Sequence, residues 1–309
     1  MKHTSDNADR KHKIMRFVRY LNLGVESYGL LNDDEIIDPQ ILAEVAETTL
    51  PSTMEELIGL GEKGIRTVEQ LAANSTRTEK RKAALKIGEA HFLAPVSSPP
   101  KIICLGLNYR DHAEEAGADI PEEPIIFMKP RTAIVGPYEH IIRPTSVKEL
   151  DYEAELAIVI GKKGRNIAVS EAEKHVFGYT AFNDISAREI QFKDRQWTRG
   201  KSFDTFAPIG PCITTADQIG NPSNLKIRAR VNGELRQDSS TRNMVFDIYE
   251  VIHHISRVMT LEPCDIIATG TPAGVAVFMK PTPKFLSPGD LVEIEIENIG
   301  TLGNKVTQG

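Results

Sequence analysis

Cysteine is scarce in this chain. Its 309 residues include three, Cys104, Cys212 and Cys264, far apart and with no CxxC pair. An odd and dispersed set gives no disulfide framework and no cysteine-based zinc site; it predicts buried, inert thiols in a reducing cytoplasm. Aromatic residues make up 6%, net charge is −6 and no basic block occurs, which argues against nucleic acid as a partner. No stretch of 18 apolar residues exists, so nothing is expected to span a membrane. The first residues, MKHTSDNADRKHK, lack the apolar centre of a signal peptide and read as a disordered lead-in over 1–13. The GxGxxG match GLGEKG at 59–64 follows a helical pattern rather than a strand, so dinucleotide binding is not expected there.

What remains is an ordinary globular composition, 40% hydrophobic and 26% charged, in a chain long enough for two domains. MRFVRYLN, VESYGLL and IID read as strands around a polar NDDE turn. STMEELIGL, with Ser52 and Glu55 as a capping box, then IRTVEQLAANS and TEKRKAALKIGEAHFL, read as helices. PVSSPP is the strongest linker signal. The expected division is therefore a small α+β domain over 14–94, a linker over 95–100 and a mainly β domain over 101–309. Within the last, KIICLG, LAIVIG, LKIRARV and LVEIEIE carry strand patterns, and Asn232-Gly233 predicts a hairpin. YRDHAEEAG predicts a short helix ended by Gly117.

The segment DYEAEL poses an electrostatic problem. In an extended chain Asp151, Glu153 and Glu155 share one face and repel, so water, basic neighbours or a cation must compensate. EIEIE at 293–297 has the same alternation, but Lys226, Arg228 and Arg230 alternate to match it across a sheet, which suits a structural role. DYEAEL differs in being followed by LAIVIG, a run that implies burial on both faces. Buried carboxylates must be paired or ligate a metal. With Asp184 from FNDISARE, Glu153 and Glu155 make an all-oxygen set for Mg²⁺, Mn²⁺ or Ca²⁺, with an internal ion-pair network as the competing reading.

Other candidates are individually weaker. His112 and Glu115 stand three apart, so a helix places them on one face as a base and its orienting carboxylate, or as plain surface charges. Lys201 in GKSFDTFAP and Thr271 in ATGTPAG lie beside glycines, where a backbone approaches a ligand or merely turns. His253 and His254 read as structural.

In order, GLNYRDHAEEAG, IIFMKP, DYEAELAIVIG, FGYTAFNDISARE, GKSFDTFAPIGP, RVNGELRQ and DIIATGTPAGV resemble the fumarylacetoacetate hydrolase family. The resemblance is dense over 101–309 and loose before it. It implies a rolled β-sheet catalytic domain, an α+β and mainly β fold, and a homodimer. It implies a divalent metal, Mg²⁺ or Mn²⁺, on Glu153, Glu155 and Asp184, with Asp151 left as a supporting acid. It further implies an acid/base dyad of His112 and Glu115, and a pocket lined by Lys201, Lys129, Gln191 and Thr271. Leu107 departs from members with Arg or Lys there, and Cys264 from the usual Gly.

The implied chemistry starts from a small keto acid and passes through an enolate that the cation stabilises. With an acyl group on C3, water activated by the dyad cleaves the C–C bond. That is acylpyruvate hydrolysis, of the kind met in aromatic catabolism, and it is the leading expectation. Oxaloacetate decarboxylation, isomerisation of 2-hydroxyhepta-2,4-diene-1,7-dioate or simple tautomerisation would use the same site. A metal-dependent binding protein with a vestigial site is the non-enzyme alternative.

Overall fold

The computed structural model describes residues 15–32, 34–194 and 196–309; the expected lead-in over 1–13 lies outside them. The architecture is α+β with the sheets dominant. A twelve-stranded sheet runs through Ala84–Lys86, Glu35–Ile37, Val25–Asn32, Arg16–Asn22, Ala207–Thr215, Val176–Asn183, Ala154–Ile160, Ile266–Ala268, Ile102–Gly106 and Ile125–Lys129, with two short strands off this path. A five-stranded sheet follows the order Glu234–Ser240, Lys226–Val231, Leu291–Ile296, Gly300–Gln308 and Ile141–Arg143. Among the described residues, no helix is long and apolar enough to cross a membrane.

Ala154–Ile160 lies between Val176–Asn183 and Ile266–Ala268, and all seven of its side chains are buried, as its apolar run predicts. Asn232 and Gly233 turn with φ of 54° and 80°, and Val231 pairs with Glu234, which completes the expected hairpin. Glu293 and Glu295 lie opposite Arg230 and Arg228, so the EIEIE face has the cross-strand partners its sequence suggested. The helix Arg110–Ala116 ends on left-handed Gly117.

Three local expectations change. The capping box belongs to Thr53 and Glu56, one residue later than Ser52 and Glu55; Ser52 instead donates its N–H and hydroxyl to Glu56. The helix expected over TEKRKAALKIGEAHFL stops at Lys82. Beyond it Ala84–Lys86 pairs with Glu35–Ile37 and His91–Leu93 with Arg16–Asn22, so sheet pairing overrides helical propensity. Finally, Phe17 and Arg16 pair with Ile213 and Thr214, which joins the segment expected as a separate domain to the main sheet.

The strand expected through DYEAEL is interrupted. Leu150–Asp151 pairs with Ser186–Ala187, and Ala154 starts the next strand. Tyr152 and Glu153 fall between, and Asp184 N donates to Glu153 O at 3.0 Å. This break brings Asp184 beside the two glutamates.

Candidate active site and metal centre

Glu153, Glu155 and Asp184 are buried, and each offers a carboxylate oxygen within 4.8 Å of the others. Asp151 stands outside this set. Its Oδ1 accepts from Ala276 N at 2.8 Å, and its Oδ2 from Arg188 Nε at 2.9 Å and Val277 N at 3.0 Å. It anchors the chain after Thr271, a structural task consistent with its expected supporting role.

Basic neighbours supply part of the compensation. Arg188 Nη1 lies 2.7 Å from Glu153 Oε1, so its guanidinium bridges Glu153 and Asp151. Lys201 Nζ lies 2.8 Å from Glu153 Oε2 and 2.8 Å from Asp184 Oδ2. Lys129 Nζ stands 2.7 Å from Asp184 Oδ1, a charge contact that is not aligned as a hydrogen bond. Burial opposes ionisation of Glu153, but Lys201, Arg188 and His112 outweigh it and hold the carboxyl down at about 2. Burial likewise opposes charge on Lys201, and Asp184 and Glu153 overcome it and raise its pKa.

Glu155 is the exception. Its Oε2 accepts from Gly270 N at 2.9 Å, and its Oε1 has no hydrogen-bond partner among the described residues. Burial first, then the nearby Asp184 and Glu153, push its pKa well above the usual carboxylate range. Among the described residues four buried carboxylates thus face three cations, and two of their oxygens, Glu155 Oε1 and Asp184 Oδ1, lack hydrogen-bond donors. An all-oxygen set with this deficit fits a hard divalent cation, and the ion-pair network coexists with that site instead of replacing it.

A cavity of about 310 Å³ opens onto the cluster, with Glu153, Arg188, Gln191, Lys201, Thr271 and His112 in its wall. His112 is buried, with Nδ1 3.5 Å from Glu115 Oε2. Both Glu115 oxygens accept from Gly274 N, at 3.0 and 3.1 Å. Gly274 has a φ of 105°, and a Cβ there would lie 2.1 Å from Arg236 O, so only glycine lets the loop meet Glu115 this way. Gln191 Oε1 accepts from Arg188 Nη1 at 2.9 Å. Lys129 is placed differently from its expected position in the pocket wall. It is buried beside the candidate ligand Asp184 and donates to the carbonyls of Ile185, Lys201 and Phe206 at 3.0, 2.6 and 2.8 Å.

The rest of the wall is apolar, including Leu107, Phe127, Phe278 and Trp197. Trp197 is the only tryptophan, and it packs edge-on against Phe127 at 5.7 Å between ring centroids. Lys201 Nζ sits 5.1 Å from the Phe127 ring centroid. Leu107 leaves Arg188 and Lys201 as the cationic side chains of the wall among the described residues. Cys264, the second departure, holds a φ of 71° where glycine would be unstrained. His253 Nδ1 contacts Ile167 O at 2.6 Å, and all three cysteines are buried and free, as expected. Arg188, Trp197 and Gln237 were not singled out from sequence. Arg188 stands four residues after Asp184 in FNDISARE, and Gln237 ends the motif RVNGELRQ; only the fold shows what each touches.

The chain belongs to the fumarylacetoacetate hydrolase family, whose C-terminal domain model matches residues 101–307. It is 47% identical over 287 residues to a mitochondrial oxaloacetate tautomerase of Bos taurus, covering 92% of this chain and 87% of that one. Among solved structures it resembles a fumarylacetoacetate hydrolase from psychrophilic Exiguobacterium antarcticum, at 36% identity and a TM-score of 0.80, over 96% of this chain and 100% of that one. It also resembles a maleylpyruvate hydrolase from Sphingobium sp. SYK-6, at 33% identity and a TM-score of 0.76, with the same coverage.

Proposed function

We propose that this protein interconverts the keto and enol forms of oxaloacetate or a closely similar 2-keto dicarboxylic acid, with Mg²⁺ or Mn²⁺ held by Glu153, Glu155 and Asp184. The observation that carries this reading is one cavity wall shared by a buried imidazole, His112, and the carboxylate–lysine cluster. The bovine relative's activity supports the same reaction.

Tautomerisation moves one proton between C3 and the 2-oxo oxygen. Glu115 lies 3.5 Å from Nδ1 without a hydrogen bond to it among the described residues; a small approach on substrate binding would let Nδ1–H donate to it and leave Nε2 as the lone-pair base. His112 then takes the C3 proton, and the electron pair of the C–H bond moves through C2 onto the oxygen. A bound divalent cation would supply Lewis-acid stabilisation of that oxygen's charge. Lys201 adds an ammonium whose charge Asp184 and Glu153 maintain. Arg188 and Lys201 are already paired to carboxylates, so the wall would suit a dianionic acid once a divalent cation offsets the carboxylate excess, while the apolar remainder limits water. Return of the proton to oxygen completes the enol; the reverse order yields the ketone.

Acylpyruvate hydrolysis is the second reading. The His112–Glu115 pair could activate a water, and Phe127, Trp197 and Phe278 suit an acyl group. The maleylpyruvate hydrolase neighbour favours it. The test is spectrophotometric decay of the oxaloacetate enol with Mg²⁺, against EDTA, beside pyruvate release from an acylpyruvate panel. Tautomerisation predicts fast Mg²⁺-dependent enol decay and little pyruvate from the panel. The opposite pattern selects hydrolysis.

A further inference from the structure

Gln237 is fully buried, and nothing in the mechanism above uses it. It lies in the strand Glu234–Ser240, which the Asn232-Gly233 turn folds back. Its amide joins two parts of the site. Oε1 accepts from Ala154 N at 2.9 Å, between the ligands Glu153 and Glu155. Nε2 donates to Thr271 Oγ1 at 2.8 Å and to Pro272 O at 2.8 Å.

The partners fix the amide's orientation. A backbone N–H only donates and a proline carbonyl only accepts, so the oxygen must face Ala154 and the nitrogen Pro272. The nitrogen has no lone pair to offer, so Thr271 Oγ1 must accept from it. The threonine hydrogen is then released from that contact. Among the described residues it donates to no protein acceptor, and Thr271 lines the cavity.

We propose that Gln237 is a positioning residue that sets Thr271 as a hydrogen-bond donor toward an anionic oxygen of the bound keto acid. The inference rests on the keto-acid reading of the cavity. It explains why a buried amide, and not an apolar residue, follows the hairpin: it orients a hydroxyl while tying the ligand-bearing strand to the Thr271 loop. A carboxylate at 237 reverses the arrangement. Its oxygen would accept the threonine hydrogen and turn it from the cavity.

The test is a double-mutant cycle read by calorimetric binding of oxalate, a planar dianion resembling the enolate's reacting end, with Mg²⁺ present. Mg²⁺ binding, thermal stability and the KM and kcat of oxaloacetate tautomerisation are measured on the same variants. Thr271→Val and Gln237→Glu are each expected to weaken oxalate roughly 10- to 100-fold, the loss of one bond to a charged acceptor. Thr271→Ser retains near-wild-type affinity. In the Thr271→Val background Gln237→Glu should cost nothing further, because its effect passes through the hydroxyl. If the two losses multiply, Gln237 acts through charge or folding and the proposal fails; full oxalate affinity in Gln237→Glu also overturns it. Should Gln237→Glu not fold, Gln237→Met replaces it in the cycle: it removes the orienting donor without adding a competing acceptor, so a loss of a few-fold is expected, again absent in the Thr271→Val background, and losses that multiply contradict the proposal. If wild type binds oxalate with this coupling but does not tautomerise oxaloacetate, the reaction assignment falls while the role of Gln237 stands.

Discussion

Lys201 Nζ lies 2.8 Å from both Asp184 Oδ2 and Glu153 Oε2, so the lysine carries the charge that holds two metal-ligand candidates together. Removing it leaves buried carboxylates facing each other. Lys201→Ala is expected to lower the metal-free protein's stability by about 3–5 kcal/mol, the usual result of breaking a buried pair. A divalent cation replaces much of the lost charge, so the rise in Tm on adding Mg²⁺ should exceed that of wild type. Thermal melts with Mg²⁺ and with EDTA measure both, and an equal Mg²⁺ shift in the two proteins contradicts the shared site. Turnover should fall for every keto acid, since each passes through the same enolate.

Glu155→Gln isolates the candidate metal ligand that has no salt-bridge partner among the described residues. It keeps the side chain's size and its contact with Gly270 and removes the cost of burying an acid beside Asp184 and Glu153, so metal-free stability near neutral pH should rise. Mg²⁺-dependent stabilisation should shrink and activity fall to background. Glu295→Gln, from the paired EIEIE face, should do neither. Matching effects at the two positions would remove the metal assignment.

The same carboxyl predicts a pH signature. Burial, Asp184 and Glu153 raise the Glu155 pKa in the folded metal-free protein, so folding favours its protonated form. Its contribution to metal-free stability is therefore fully present below the unfolded value of about 4.3 and declines as pH rises toward the folded value. Glu153 has the opposite sign: its pKa of about 2 gives stability that is present above about 4.3 and lost as pH falls toward 2. A cation requires Glu155 ionised, so Mg²⁺ binding should release a proton and tighten with rising pH. Calorimetric titrations in buffers of different ionisation enthalpy count that proton. Its persistence in Glu155→Gln would assign it to another group.

Much of this site was legible before the fold. The alternation in DYEAEL, the apolar run after it and Asp184 in FNDISARE led to the three carboxylates that converge. The spacing of His112 and Glu115 likewise placed them together. Arg188 was not legible because its role depends on strand pairing that sets residues 150–151 against 186–187. Lys129 was assigned to the pocket wall by the family resemblance alone; the fold instead turns its ammonium onto the carbonyls of Ile185, Lys201 and Phe206, contacts between segments distant in sequence. The early residues were misread for a related reason. TEKRKAALKIGEAHFL has helical composition throughout, yet its second half is taken up by strands 35–37 and 16–22.

That pairing predicts the outcome of truncation. A chain beginning at residue 96 would lose Arg16–Asn22 and leave the end of Ala207–Thr215 without its neighbour. It should be less stable than the full chain and prone to associate through the exposed strand, even with Mg²⁺. A monodisperse fragment with the full-length Tm would show that the division at 95–100 is a true folding boundary.

The proposed reaction turns on proton transfer at C3 by His112. The deciding measurement is the wild-type and His112→Ala rate of oxaloacetate enol decay at saturating Mg²⁺, with pyruvate followed in the same sample. Proton transfer by His112 predicts rapid decay in wild type without matching pyruvate, and a loss of roughly 10²- to 10⁴-fold in His112→Ala, the usual range for general acid–base catalysis. Unchanged decay in His112→Ala, or pyruvate formed as fast as the enol disappears, would contradict it.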